Sequence, residues 1–344
     1  MPDEEKQEPP EILGISPSIG LPGGAVTLHC TGLDPLALND ESLLFCGVSA
    51  NIEGASAQKL ITHIPSAASS QDVSVMQHGL QSNTCRFVIP QCIAHALHNI
   101  SNPVITPDNE ILAPFCGIQG QLSPVSVFLI NEQQVKIPFV YGLHNIGSLA
   151  VNARGEMFAV SRTDGVVYSI ARDGSFSVFA EGFETPCSLV GARDGALYLA
   201  QTNGKIYRLH SAGRIALSAE VQPSEICIHL ALDHEGVLYA SSTQHIGEST
   251  LWVVENDRAK LCMRELAEYR GIAFDKSGAL YIALTERAGC GIDIVHKDCT
   301  RHRVVCGQDI VGLAFNENND MYIATLSKIY TVNNRHILTA MHKE

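Results

Sequence analysis

Six segments of this chain share one pattern, and that repetition limits the fold more than any other feature. They are NPVITPDNEILAPF, SLAVNARGEMFAVS, SLVGARDGALYLAQ, HLALDHEGVLYASS, GIAFDKSGALYIAL and GLAFNENNDMYIAT. Each runs from a short apolar strand through a polar turn into a second strand ending in small residues, the signal of a β-hairpin. The residues just past the turns are Glu110, Glu156, Ala196, Val237, Ala279 and Asp320, at intervals of 46, 40, 41, 42 and 41 residues. A third strand follows in every unit (VSVFLI, VVYSI, KIYRL, LWVVE, IDIVH, KIYTV). A fourth follows in KIPFV, FSVFA, IALSA, KLCMR, HRVVC and HILTA. Four antiparallel strands every ~40 residues mark a β-propeller blade, and no amphipathic helix pattern interrupts the array. Six units predict six blades over residues 102–344.

The first unit departs from the others, since its turn, Pro107-Asp108-Asn109, has no glycine. It is supported by Leu97-His98-Asn99-Ile100, which returns 46 residues later as Leu143-His144-Asn145-Ile146. Residues 91–101 are either a linker or a strand that joins the last blade and closes the ring. In the first case HILTA fills that place.

The units of the form GLAFDxxGxLYxA resemble NHL repeats. They also resemble the six-bladed propellers of the gluconolactonase group, with the senescence-marker proteins and luciferin-regenerating enzymes, over about residues 98–344. Residues 1–9 read as an acidic, flexible tail. Residues 10–90 lack the period and offer short strands at the spacing of a β-sandwich. Gly23 and Gly24 are expected to permit positive φ at a turn there. The run PEILGISPSIGLPGGAVTLHCTGL, with FCGVSA and SNTCRFVIP, resembles an IPT/TIG domain. The expected fold class is therefore all-β: an immunoglobulin-like β-sandwich followed by a six-bladed β-propeller.

Charge narrows the function. A net charge of -13 opposes binding to nucleic acid, which needs a basic face, and no Lys/Arg cluster occurs. Residues 1–100 hold ten acidic side chains against Lys6, Lys59 and Arg86, so the DNA-binding role of some IPT/TIG domains is not carried over. No run approaches a membrane span and no secretory signal opens the chain. The expectation is a cytoplasmic protein as written, or an extracytoplasmic one if the start was trimmed. The 11 cysteines show no C-x-x-C pair or zinc-finger spacing. Cys30 and Cys85 lie in phase with apolar strand residues and are expected to meet as buried thiols.

Propeller ligands bind at a mouth of the central channel, so the heads of the innermost strands can be found by counting back from the shared turn. They are Ser101, Gly147, Cys187, Ile228, Arg270 and Val311, followed by Asn102, Ser148, Ser188, His229, Gly271 and Gly312. The gluconolactonase resemblance implies a divalent cation held there by carboxylate and Asn side chains. None of the heads is Asp, Glu or Asn, and only Asn102 and His229 of the following set could coordinate. Arg270 adds a positive charge that disfavours a dication. A register shifted by two residues instead brings Asn99, Asn145, Glu268 and Asp309 to equivalent places, either as metal ligands or as solvated turn residues. Loops leaving the second strands offer Arg162, Asp164, Asn203, His245, Glu286 and Arg287. With His229 and Arg270, these are ligand-binding candidates. Alternatively, each arginine merely pairs with a neighbouring acid.

Two functions remain in view. The first is a non-catalytic binding protein that engages a protein or a small polar or anionic ligand, with no cofactor, nucleic acid or membrane. The alternative is a metal-dependent, lactonase-like hydrolase or a lyase, using Ca, Mg, Mn or Zn at a non-standard channel site.

Overall fold

The computed structural model describes residues 8–45, 47–68, 72–97, 99–115, 125–210, 213–244, 247–286 and 289–341. Residues 91–332 form six four-stranded antiparallel sheets arranged as a β-propeller. Blade one comprises Val104–Ile105, Ile111–Pro114, Val125–Ile130 and Lys136–Tyr141. Blade two comprises Ile146–Val151, Met157–Ser161, Val166–Ile170 and Phe176–Glu181. Blade three is Pro186–Gly191, Leu197–Gln201, Lys205–Leu209 and Ile215–Glu220. Blade four is Ile228–Leu232, Leu238–Thr243, Glu248–Glu255 and Arg258–Leu266. Blade five is Glu268–Phe274, Leu280–Glu286, Gly289–Val295 and Arg301–Cys306.

Blade six takes three strands from the end of the chain, Ile310–Phe315, Met321–Thr325 and Ile329–Val332. Its fourth is Gln91–Ala94, antiparallel to Ile329–Val332. The HILTA segment is not a strand; Asn334–Met341 is an α-helix with Ile337 buried in the apolar layer between blades five and six. The outer edge it was expected to fill is already taken by residues 91–94, which arrive from far upstream.

The repeated turn explains the repeated sequence. In all six units the backbone bond pattern is the same, as in Asn109 N to Thr106 O and Gly155 N to Asn152 O. The residue before the aligned position is left-handed each time: Asn109, Gly155, Gly195, Gly236, Gly278 and Asn319, with φ between 58° and 87°. Glycine and asparagine are the residues that take this conformation at low cost, so the PDN turn of the first unit is the same turn as the rest. In four of the six units Asp or Asn at its start caps it; Asp233 Oδ1 accepts from the N–H of both Glu235 and Val237.

Inner strands of successive blades pack against one another all the way round, including blade one against blade six. An apolar cluster fills each blade-to-blade boundary; Phe158, Leu189 and Leu199 lie between blades two and three. Burial of this kind contributes about 25 cal/mol per Å² and holds the ring.

Upstream, two antiparallel sheets share one core. Glu11–Ser16, Ala25–Thr31, Lys59–His63 and Ile52–Ala55 form one sheet; Cys85–Arg86, Asp72–Gln77, Leu43–Phe45 and Val48–Ser49, with Leu80–Gln81, form the other. Leu28, Leu60, Phe45, Val73 and Val75 meet between them, and Phe45 packs edge-on to Phe87 with centroids 5.4 Å apart. Cys30 is buried in this core, with Cys85 packed against it, both as thiols.

This unit is joined to blade five. Ile19–Gly20 adds in parallel to the outer strand at Val305 and Cys306, and Leu21 N donates to Cys306 O at 2.8 Å. Gly23 has φ +81°, but Gly24 serves a different need from the one expected. A Cβ there would stand 2.9 Å from the Cys306 carbonyl carbon, so glycine permits the two backbones to approach.

Candidate functional site: the propeller channel

A cavity of about 260 Å³ opens at one mouth of the channel, lined by residues of all six blades. Counting from the shared turn identifies much of its wall: Ser101, Asn102, Gly147, Ser148, Cys187, Ser188, His229, Arg270 and Val311 all face it.

Arg162 follows the second strand of blade two, where its N–H donates to Asn145 O at 3.1 Å. Its side chain turns back into the channel across Gly147. A Cβ at position 147 would meet Arg162 Nε at 2.8 Å and Cγ at 2.9 Å. The Nε is buried and has no hydrogen-bond partner, as is the Oγ of Ser101 on the same wall. Buried donors are normally satisfied, so these two mark a place built for a polar guest or water.

Arg270 stands on the inner strand of blade five and pairs with Glu268, Nη2 to Oε1 3.0 Å, while its side chain stays 39% exposed. His229, on the inner strand of blade four, is held as the neutral imidazole. Burial is the largest cause, and the positive charges of Arg162 and Arg270 act in the same direction. Beneath them Cys187 and Cys227 are packed together, with Ile228 N donating to Cys187 Sγ at 3.4 Å. The hydrogen bond from Cys187 favours a thiolate on Cys227, as does the positive charge of Arg162, while burial opposes it.

Asn102 spans the seam of the ring. Its Oδ1 accepts from Leu313 N at 2.8 Å and presses on Gly312, where a Cβ would be only 2.2 Å away. The small residues at 271 and 312 exist to admit it.

Other sequence candidates lie elsewhere or are engaged. Asp164 accepts from Ser161 Oγ at 2.8 Å and shapes its own turn. Asn203 caps the next turn through Lys205 N and reaches Glu184 at 3.4 Å. Glu286 is bound by Arg301 and Arg303, at 2.6 and 2.7 Å, in a network that also holds Asp293 and Glu265. Its arginines come from the fourth strand of blade five, a pairing that loop sequence does not display. His245 and Arg287 lie outside the described residues.

In the shifted register, Asn99, Asn145 and Asp309 are all left-handed, with φ of 61°, 45° and 57°, and Glu268 is paired with Arg270. Asn and Asp suit that backbone position without any ligand. A hard dication requires several convergent oxygen donors. Here two guanidinium groups face the cavity and Asn102 Oδ1 is committed to Leu313, so these residues do not fit one. Among the described residues no three His, Cys, Asp or Glu side chains converge as a metal site, and no helix is long and apolar enough to cross a membrane.

No protein-family model matches the chain, and no curated protein matches it in sequence. Solved structures do resemble it. A gluconolactonase from Xanthomonas campestris superposes with a TM-score of 0.56 at 15% identity, over 70% of this chain and 88% of that one. A PQQ-bound aldose sugar dehydrogenase from Streptomyces coelicolor gives 0.56 at 13% identity, over 71% and 96%. An auxiliary nutrient binding protein from Bacteroides thetaiotaomicron gives 0.53 at 12% identity and covers 94% of this chain and 98% of that one. At these identities the likeness establishes the β-propeller fold.

Proposed function

We propose that the channel mouth binds a small, oxygen-rich anion of the sugar-acid class. Arg162 and Arg270 supply the positive charge and His229 a neutral imidazole. The observation that carries this reading is the buried, unpartnered Nε of Arg162 facing a cavity of about 260 Å³. A carboxylate there would gain a charge-assisted hydrogen bond in a desolvated setting. The nutrient-binding likeness, which spans both parts of the chain, agrees with a binding role.

A second reading is supported by the enzyme neighbours. The named gluconolactonase and sugar dehydrogenase favour a lactonase-like enzyme over a purely non-catalytic protein. The same side chains could serve it: neutral His229 would draw a proton from water, and the two arginines would stabilise the oxyanion formed at a lactone carbonyl.

Residues 10–90 we assign to an IPT/TIG-like, immunoglobulin-like sandwich that braces blade five or meets a protein partner. Support comes from the PxIxxIxPxxGxxGG run and from two sheets on one core.

Titration calorimetry with aldonates and uronates, beside hydrolysis assays on their lactones with and without chelator, tests both readings. Binding without turnover supports the first. Turnover supports the second, and its dependence on chelator reports on any divalent cation. Neither binding nor turnover, with Arg162→Ala indistinguishable from the parent, would remove the site.

A further inference from the structure

We infer that Cys262 and Cys299 form a cross-blade dithiol that closes to a disulfide, clasping blade four to blade five. Their Sγ atoms lie 2.8 Å apart, although 37 residues separate them in sequence. Two local irregularities bring them together.

Cys262 is the extra residue of a β-bulge. In the outer strand of blade four Leu251 pairs with Met263 and Trp252 with Leu261, leaving Cys262 unmatched. A bulge re-aims the side chain it carries. Cys299 occupies the left-handed position, φ +64°, of the hairpin between the third and fourth strands of blade five, with its N–H bonded to His296 O. In blades two and three the same position is glycine, Gly174 and Gly213, and in blade one it is Gln134. A β-carbon in that conformation carries a cost that glycine avoids, and a covalent partner across the boundary would account for it.

Both cysteines are half-buried on the wall of a cleft of about 620 Å³ between the two blades, whose charged lining sets Lys260 and Lys297 against Asp233, Glu235 and Glu255. A small peptide disulfide can reach them from that cleft. Burial and the neighbouring thiol push the Cys262 thiol up to about 12. One of the two sulfurs, as thiolate, would attack one sulfur of glutathione disulfide and release one glutathione. The other, losing its proton, then displaces the second. The protein pair gives up two electrons and two protons, and one glutathione disulfide becomes two glutathione thiols.

The test uses the full chain and does not depend on any channel ligand. Reduced protein is equilibrated in glutathione buffers from reducing to oxidising, quenched by alkylation and peptide-mapped without reduction. The linked Cys262–Cys299 peptide should become the main cross-link, with a rise of several degrees in Tm. Cys299→Gly, which suits the left-handed backbone, should fold at least as well as the reduced parent and gain nothing on oxidation. Recovery of both cysteines as alkylated thiols at the oxidising end would overturn the inference. So would a link from Cys262 to another cysteine, or an oxidised parent no more stable than the reduced one.

Discussion

The Nε of Arg162 lies 2.8 Å from where a Cβ on residue 147 would stand, so Gly147 is the residue that admits this arginine to the channel. The two positions form one unit, although blade two's second strand separates them. Arg162→Ala should weaken a bound sugar acid by about 1–3 kcal/mol, the range for a lost charge-assisted hydrogen bond. Gly147→Ala should weaken it similarly by displacing the guanidinium, at a stability cost of ~1–3 kcal/mol for overpacking. Calorimetry on both variants checks this; full affinity in Gly147→Ala would show that the arginine acts from another position.

His229 makes binding and stability depend on pH in opposite ways. Burial first, then Arg162 and Arg270, hold its folded pKa below the unfolded value of about 6.5. The unfolded chain therefore binds more protons in that window. The His229 contribution to stability should be level above pH ~6.5 and decline as pH falls toward the folded pKa. His336, also lowered mainly by burial, contributes with the same sign, so the useful quantity is the difference between the parent and His229→Gln. A bound anion reverses part of the effect by favouring the imidazolium. Its affinity should rise as pH drops from 7 toward 6, with proton uptake visible in calorimetry run in buffers of differing ionisation heat.

What could be read in advance follows from the length scale of each interaction. The turn that punctuates each blade is local, and its left-handed residue is visible as Gly or Asn, so strand order and channel-facing positions could be counted from it. HILTA misled because its apolar spacing suits either a strand or one helical turn. The outer edge of blade six was settled by Gln91–Ala94, more than two hundred residues upstream. The same limit hid Asn102 on Leu313 across the seam, and Arg301 and Arg303 on Glu286. It also hid the facing thiols of Cys262 and Cys299, since no short-range pattern announces a partner on the next blade.

Asp293 is 1% exposed and lies between Arg301 and Arg303, both of which bond to it. Removing one partner of such a network strands buried charge. Asp293→Ala should therefore cost about 3–5 kcal/mol, against less than about 1 kcal/mol for Asp108→Ala at the exposed pair with Arg172. Urea denaturation with unchanged slope would measure both, and equal losses would contradict the contrast.

Asn102 and Gly312 provide the last prediction because they meet at the ring's closure. Asn102→Ala leaves the Leu313 N–H without its acceptor, at a cost of ~1–3 kcal/mol. Gly312→Ala places a carbon 2.2 Å from the Asn102 oxygen and 2.6 Å from its Cα, so it must expel the same side chain and also shift the backbone there. Each change destroys one shared contact, so the double variant should lose clearly less than the sum of the singles. A double-mutant cycle in urea decides the matter. Strict additivity would mean that the asparagine and the glycine are independent, and that blades one and six are held together without this bond.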